Sequence, residues 1–575
     1  MAQDLDPITF SVIWGGVVAA AAEIGTTLTR TAYSTAVREG SDFSTGVFDA
    51  EGNMVSQGDY SPGHLGSMAY TVKKMMEYYP REDMSPGDAI ICNDPAIGSG
   101  HLPDVFQVCP IFYDNALIGF AVNIAHQIDI GGGAVGGQQV QGVRSMFQEG
   151  LRLMPVRLFH KGEPCRDIIR IIEANVRVPE VIGDMRAQYI ANQAGATRLI
   201  ALARQYGVET LRNALSQICG QTEAAMRAAI NTLKPGIYHF EDRLDDVGPG
   251  TEPVLARVAI TIGDGHVHAD WTGSGPQREA GLNSYISYTN AYTLAAVKSV
   301  TLPLIPQNAG VTRVVSTHAP LGSFFNPRHP APCGGRATVS HRIYETIMGA
   351  LAQAVPDRVI AANSHFFNPN IGIPSPRTGR LSIVWETIIG GIGARADADG
   401  VEAMASPWNG TNMPVELQEF LCPILVERVA FIPDSAGAGK FRGGSGLRKD
   451  MRMLNSGGAL TNLGDRHVWP PYGLAGGKPG KLGRSLLNPG TNGEQSLHSK
   501  GNYDLADGDL ISWQTAGAGG VGDPLTRDPA RVLADVLDRF VTIAGARADY
   551  GVVIDPVRMQ VDAAATQALR ASLSA

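Results

Sequence analysis

The chain contains no CxxC pair, no run of lysine and arginine, and no apolar stretch preceded by basic residues. Each absence closes a class of function. The six cysteines, Cys92, Cys109, Cys165, Cys219, Cys333 and Cys422, stand singly, which argues against a disulfide framework and for reduced, mostly buried thiols. A net charge of −8, with no basic-aromatic interleaving, lacks the footprint of a nucleic-acid binder. GxxxxGK[ST], GxSxG, HExxH and the kinase signatures are all missing, so no P-loop in this chain binds ATP and no serine elbow or zincin helix carries its chemistry. No fixed-period repeat is present either, which excludes a solenoid.

What remains is a composition suited to a globular protein, 44% hydrophobic and 18% charged. Glycine is abundant, 68 of 575 residues, so turns, close backbone approaches and short strands are expected. The apolar segment ITFSVIWGGVVAAAA follows Asp4 and Asp6 and precedes Glu23. It has no basic leader and is shorter than the ~20 residues of a membrane span. Asp6-Pro7 reads as an N-cap and first helical residue. The expectation is a cytoplasmic protein without a membrane segment, its first helix buried.

Short strands and turns follow. STGVFDAEGNMVSQG predicts a hairpin around Asp49–Gly52, and SMAYTVKKMMEYYP a helix that stops at Pro80. From Cys165 to Leu233, apolar positions recur three and four apart, and Pro179 and Gly207 interrupt them. Three packed helices are expected there. VLARVAITIGDGHVHADW predicts a second hairpin, and ARVLADVLDRFVTIAG after Asp528-Pro529 a capped terminal helix. The fold class expected is mixed α/β (α+β), with several mostly antiparallel sheets and a helical insert. A provisional division is 1–164, 165–233, 234–382 and 383–575.

The segment with the most chemistry is NDPAIGSGHLPDVFQVCPIFYDNALIGFAVNIAHQID, Asn93 to Asp129. VFQVCPIFY and LIGFAVNIAHQI are β-leaning runs separated by Asp114-Asn115-Ala116. In an antiparallel hairpin centred near Asn115, position 104 falls opposite position 126. Asp104 and His126 are thereby neighbours, about 4.5–5.5 Å apart at Cα or Cβ. Pro103 excludes a helical origin for the spacing of His101 and Asp104. A loop there can fold the His101 imidazole toward the same point. Two imidazoles and a carboxylate form a site for Zn²⁺, Mn²⁺ or Fe²⁺ with a position left for water. A buried Asp104–His126 salt bridge at a strand end accounts for the same spacing.

Other clusters are weaker. REGSDFS places Arg38, Glu39 and Asp42 between a helix and a strand, as a helix end and solvated turn would. SPGHLGSM sets His64 on a Gly-flanked turn where it can line a cleft or lie at the surface. AVGGQQVQGVRSMFQEGLRL offers Gln138, Gln139, Arg144 and Glu149 on a Gly-rich loop suited to substrate contact. PCGGRATVSHR and DWTGSGPQ are compact turns whose N–H groups can bind an anion, without a Walker lysine.

REGSDFSTGVFD, SPGHLGSM, NDPAIGSGHLPDV, IAHQIDIGG, QEGLRLMPVRL, RVPEVIGDMRAQYIAN, DWTGSGPQ and GAGGVGDPLTRDPARVLADV together resemble the hydantoinase B/oxoprolinase family in order and spacing. The resemblance runs from about Pro7 to Val553. It implies the B-type subunit of a two-component enzyme, of the kind found in N-methylhydantoinases, 5-oxoprolinases, caprolactamase and acetone or acetophenone carboxylases. An A-type subunit would use ATP and Mg²⁺ to phosphorylate a carbonyl or amide oxygen. The B-type subunit would hydrolyse that intermediate with a metal-bound water, opening a lactam, hydantoin or oxoproline-like ring. The family's His-x-x-Asp…His metal pattern falls on His101, Asp104 and His126. Resemblance makes Asp42 the fourth ligand, with a general-base role as the alternative; His64, Gln138 and Glu149 are the candidate substrate-binding residues by their Gly-flanked loop positions. It also implies a dimer of heterodimers. The alternative within the family is an ATP-dependent ketone carboxylase. Ala96 and Ser99 depart from the pattern of many relatives and reshape the pocket beside the histidine.

Overall fold

The computed structural model describes residues 5–58, 60–404, 406–408 and 410–574, without the side chains of Pro62 and Leu65. Two compact units divide the chain. One comprises Met1–Phe240, Ala256–Tyr344 and Pro407–Gly410; the other comprises Glu241–Leu255, Glu345–Ser406 and Thr411–Ala575. The fold is a mixture of helices and several mostly antiparallel sheets.

The first unit begins with α1 (Pro7–Thr31), capped as the sequence predicts: Asp6 Oδ1 accepts from the N–H groups of Ile8 and Thr9 at 3.1 and 3.0 Å. At 25 residues α1 is longer than its apolar core suggests. By length and composition it is the one helix among the described residues able to cross a bilayer. Its Phe10, Ile13, Val17, Ala20, Ala21, Ile24 and Leu28 are buried against protein.

A short helix, α2 (Thr35–Arg38), leads into β1 (Phe43–Phe48) and β2 (Met54–Gln57), the expected hairpin. The next helix, α3 (Pro62–Tyr78), starts earlier than its apolar spacing implies. Pro62 supports the first turn, so His64 lies in the helix rather than on a loop, and it is buried. Then come β3 (Ala89–Cys92), β4 (Asp104–Tyr113), β5 (Ala116–His126), β6 (Val156–His160) and β7 (Glu163–Pro164). They form a seven-stranded antiparallel sheet in the order β2-β1-β5-β4-β3-β6-β7.

The β4–β5 pairing sets Asp104 opposite His126. Asp114 and Asn115 form the two-residue turn with φ of +46° and +62°, the left-handed conformation that Asp and Asn tolerate in tight hairpins. Both sheet faces are covered, which explains the nearly continuous apolar runs. Phe106, Phe120, Val122 and Ile124 pack with Met68, Val72 and Met75 of α3. Ala121 and Ala125 pack with the helices of the opposite face.

Those helices include α5 (Glu180–Tyr206) and α6 (Val208–Ile230), which with α4 (Arg166–Asn175) are the three predicted helices, interrupted at Pro179 and Gly207. Where α5 crosses the hairpin the interface is polar. Gln188 Nε2 donates to Val105 O and Asn123 Oδ1, both at 2.9 Å. Asn192 Nδ2 donates to Gln107 O at 3.1 Å, and Asn123 Nδ2 donates to Asn192 Oδ1 at 3.0 Å. Such a buried network fixes one seating of helix on sheet, because any slip strands several groups at once.

Downstream, β8 (Gly236–Leu244), β9 (Val254–Gly263), β10 (His266–Asp270) and β11 (Val315–His318) form a four-stranded sheet, with β9–β10 the second predicted hairpin. Two helices, α7 (Ile286–Thr301) and α8 (Ala309–Thr312), separate β10 from β11, and α9 (Ala337–Leu351) follows.

In the second unit, a four-stranded sheet runs Leu381–Trp385, Asn370–Pro374, Gly458–Thr461, Asn502–Leu505. A five-stranded sheet runs Ile424–Phe431, Leu447–Met453, Leu510–Gln514, Arg484–Leu487, Gln495–Leu497. The predicted terminal helix is two: Pro529–Leu537 and Ile543–Tyr550. Arg539, at φ +67°, lies where they separate. All six cysteines are unpaired thiols, five of them buried.

The polar seam makes a prediction. Asn192→Leu removes the donor to the Gln107 carbonyl and the acceptor of one Asn123 N–H, the other staying on Gln188 O, at about 1–3 kcal/mol for each stranded group. The urea midpoint of the variant should fall accordingly, whereas Gln221→Leu, at an exposed position of α6, should show no comparable loss.

Candidate metal centre

Three strands bring the site together at one end of the sheet. Asp104 opens β4 and His126 closes β5, directly opposite each other. On the other side of β5, Phe43 pairs with Ala125, so the preceding Asp42 falls beside His126, whose N–H donates to Asp42 O at 3.0 Å. The strand order β1-β5-β4 therefore sets Asp42, His126 and Asp104 in a row. Alternation along the strands turns this row toward α3.

The loop before β4 supplies His101. Ser99 Oγ lies 2.7 Å from both His101 O and Asp104 O, and Asp104 N–H donates to His101 O at 3.1 Å. Gly98, at φ +133°, lies so close to Thr71 of α3 that a Cβ there would clash. No bulkier residue allows the loop this approach.

The donor atoms converge. His101 Nε2 lies 3.0 Å from Asp104 Oδ1 and 3.2 Å from His126 Nδ1, which is itself 3.2 Å from Asp104 Oδ1. Donors about 2.0–2.1 Å from a tetrahedral cation stand roughly 3.4 Å apart. The triangle thus has the size of three positions of such a shell. His101, Asp104 and His126 are the one group of three or more His, Cys, Asp or Glu with this convergence among the described residues. On the remaining side Asp42 Oδ2 lies 3.8 Å from His126 Nδ1. His101 and His126 are 2% and 1% exposed and Asp104 1%, whereas the Asp42 side chain keeps 20%.

The surroundings choose protonation states. His101 Nδ1 donates to Gly334 O at 2.6 Å, which leaves the Nε2 lone pair facing the cluster. Burial pushes the His101 pKa down, favouring this neutral form. Burial alone would raise Asp104, but the attraction of a protonated His101 ring and of the Arg336 guanidinium outweighs it and holds the carboxyl well below its ordinary range; with His101 neutral, Arg336 still acts in that direction. Asp104 Oδ2 accepts from Arg336 Nη2 and from the Tyr288 hydroxyl, the latter at 3.0 Å. Partners on the second carboxylate oxygen orient the first, as around metal-ligating carboxylates. The set fits a divalent cation: neutral imidazole nitrogens, one ionised carboxylate, and outer partners that fix their orientation.

The other predicted residues are placed as follows. His64 approaches from α3, with Nδ1 3.2 Å from Ser44 Oγ and Nε2 3.7 Å from Asp104 Oδ2. Gln138 is buried on the loop after β5. Glu149 is buried farther along that loop. Its carboxylate accepts from the N–H of Cys333 at 2.9 and 3.0 Å and of Gly334 at 2.7 Å. Gln138 and Glu149 thus lie on the loop that closes against the turn carrying the His101 acceptor. Sequence reasoning misses Arg336 and Tyr288 as residues of this site. PCGGRATVSHR reads as an anion-suited turn without singling out its arginine, and Tyr288 carries no local signal.

Burial pushes the Glu149 carboxyl up to about 7, from an ordinary value of 4.5. The sign of the linkage follows. Between pH 4.5 and 7 the unfolded chain loses this proton while the folded chain keeps it, so stability falls as pH rises through that window. The loss is on the order of 3 kcal/mol, complete above pH 7. Glu149→Gln cannot ionise. Melting temperatures measured from pH 4.5 to 7.5 should fall more steeply in the wild type than in this variant, which keeps only the slope of other buried carboxyls such as Asp245, pushed up to about 6 by burial.

Comparisons with known proteins agree with the motifs. The family model described as Hydantoinase B/oxoprolinase matches residues 6–524. The chain is 33% identical over 587 residues to the beta subunit of caprolactamase from Pseudomonas jessenii, covering 99% of each chain. It is 31% identical over 570 residues to the B component of a putative D-/L-hydantoinase from Pseudomonas sp. (strain NS671), covering 96% of each. Among solved structures, the ATP-dependent caprolactamase from Pseudomonas jessenii superposes with a TM-score of 0.92 at 32% identity, over 99% of this chain and 100% of that one. Sequence and fold agree: the chain belongs to the hydantoinase B/oxoprolinase family.

Proposed function

We propose that this chain is the B-type subunit of an ATP-dependent cyclic amidase. An A-type partner would bind ATP and Mg²⁺ and phosphorylate the carbonyl oxygen of a lactam, hydantoin or oxoproline-like ring. This chain would then open the ring at its C–N bond. The observation that carries the reading is the convergence of His101 Nε2, Asp104 Oδ1 and His126 Nδ1 within 3.2 Å of one another, in a chain similar end to end to a caprolactamase beta subunit.

In this reading His101, Asp104 and His126 hold a Zn, Mn or Fe ion, with Asp42 as fourth ligand or as base. A divalent cation there supplies Lewis acidity that lowers the pKa of water toward neutrality. The rest follows from the chain's own groups. Asp42 is the exposed member of the row, so its carboxylate is the one positioned to meet entering water and take its proton. The tautomer of His101 is fixed by Gly334, and the position of Asp104 by Arg336 and Tyr288. His64 faces the cluster from α3 and is assigned a substrate-side contact. Gln138 and Glu149 shape the enclosing loop. Assembly with the A-type partner as a dimer of heterodimers completes the proposal.

Two measurements test it. Elemental analysis of the purified chain should find about one Zn, Mn or Fe per wild-type chain, and far less in His126→Ala. With the A-type partner and ATP, ring opening should fall about 10²-fold or more in the same variant. A wild type that is metal-free after chelation and still fully active would remove the cation from the proposal. Turnover that requires bicarbonate and carboxylates a ketone would instead establish the carboxylase alternative.

A further inference from the structure

Arg336 is more than the site needs to orient Asp104. Its side chain is 2% exposed, and its guanidinium lies 3.8 Å above the centre of the Tyr288 ring, with the Trp408 ring 5.9 Å away. Nη2 is committed to Asp104 Oδ2, but Nε and Nη1 are buried and make no hydrogen bond among the described residues. An amine would neutralise Asp104 equally well; a guanidinium differs in its additional directed donors. Buried donors left without an acceptor are rare and call for a ligand or an ordered water.

The two orphan donors are not equivalent. Gly100, immediately before His101, lies flush against the guanidinium, so that a Cβ at that position would collide with Arg336 Nε and the Tyr288 ring. Glycine covers the Nε side, and Nη1 is the donor left for a ligand. The charges point to the ligand's sign. Counting carboxylates and guanidinium only, Asp42 and Asp104 against Arg336 leave a formal deficit of one positive charge. A divalent cation on the cluster turns this deficit of one into a surplus of one positive charge in a buried site. An oxyanion offsets that surplus, and planar N–H donors of arginine are the side-chain group suited to phosphoryl oxygens.

We infer that Arg336 is an oxyanion anchor: Nη1 donates to a phosphoryl oxygen of the activated substrate while Nη2 stays on Asp104. The assignment to substrate rests on the function proposed above. The anion-binding property itself does not.

The test uses the full-length chain loaded with Mn²⁺ and inorganic phosphate as the probe, followed by calorimetry and by Mn²⁺-induced relaxation of the phosphorus resonance. Arg336→Lys keeps a cation beside Asp104 and removes the second donor nitrogen. The expected result is phosphate affinity reduced at least tenfold in Arg336→Lys, with manganese content equal to wild type. Affinity within twofold of wild type at full manganese occupancy overturns the inference, as does an Arg336-dependent site that takes acetate in preference to phosphate. If Arg336→Lys loses metal or fold, a crystal structure of the wild type with Mn²⁺ and phosphate decides. Phosphate on Nη1 sustains the inference, and phosphate elsewhere or absent overturns it. Arg336-dependent phosphate binding without ring opening in the presence of the A-type partner and ATP would refute the amidase reading and leave the anion anchor standing. Ring opening with Arg336-independent phosphate binding would do the reverse.

Discussion

A carboxylate removed from water stays ionised only if its neighbours replace the lost hydration, and Asp104 organises the first unit around that requirement. One oxygen meets His101 and His126, and the other meets Arg336 and Tyr288. These partners come from a loop, a strand end, the turn before α9, and α7. Each must arrive in register, because a buried ionised carboxylate with a missing partner costs more than the partner contributes when present. The network therefore ties together segments as far as 232 residues apart in the sequence.

The sheet makes this possible without strain in the strands. Its side-chain period of two sends Asp104, His126 and Asp42 to the α3 side, and sends Gln107 and Asn123 to the α5 side. One register thus satisfies two polar networks on opposite faces. A one-residue slip of β4 against β5 would turn Asp104 toward α5 and Gln107 toward α3, leaving both networks unpaired. The hairpin turn at Asp114-Asn115 sets this register locally, and the α5 amides hold it from the far side.

This division explains what is legible in the sequence. The Asp104–His126 pairing is readable because a tight turn between two β-leaning runs determines every partner along them. The three helices between 165 and 233 are readable from apolar spacing and two breakers. Asp42 enters through family resemblance: its place beside His126 depends on β1 pairing with β5, a long-range pairing with no local sign. Flanking glycines assign His64 to a turn, but Pro62 starts α3 there and tertiary packing carries the helix through Gly63 and Gly66. Arg336 and Tyr288 reach Asp104 from 232 and 184 residues away. Only the folded chain brings them near, and nothing in their local sequence announces the role.

Burial and access are divided within the site, and the division bears on chemistry. The cluster itself is enclosed, so charges there are screened less than in water, while Asp42 alone in the row keeps contact with solvent. Water thus meets a carboxylate before it meets the imidazoles. Behind the imidazoles, the choice of His101 tautomer is made by Gly334 O, and the turn bearing that carbonyl is held by Glu149 through the amides of Cys333 and Gly334. Glu149, which does not touch the imidazole itself, thereby sets which nitrogen of His101 faces the cluster. The same turn continues into Arg336, so the element that fixes the histidine also delivers the guanidinium. Moving the turn would disturb the His101 nitrogen and the proposed anion anchor together.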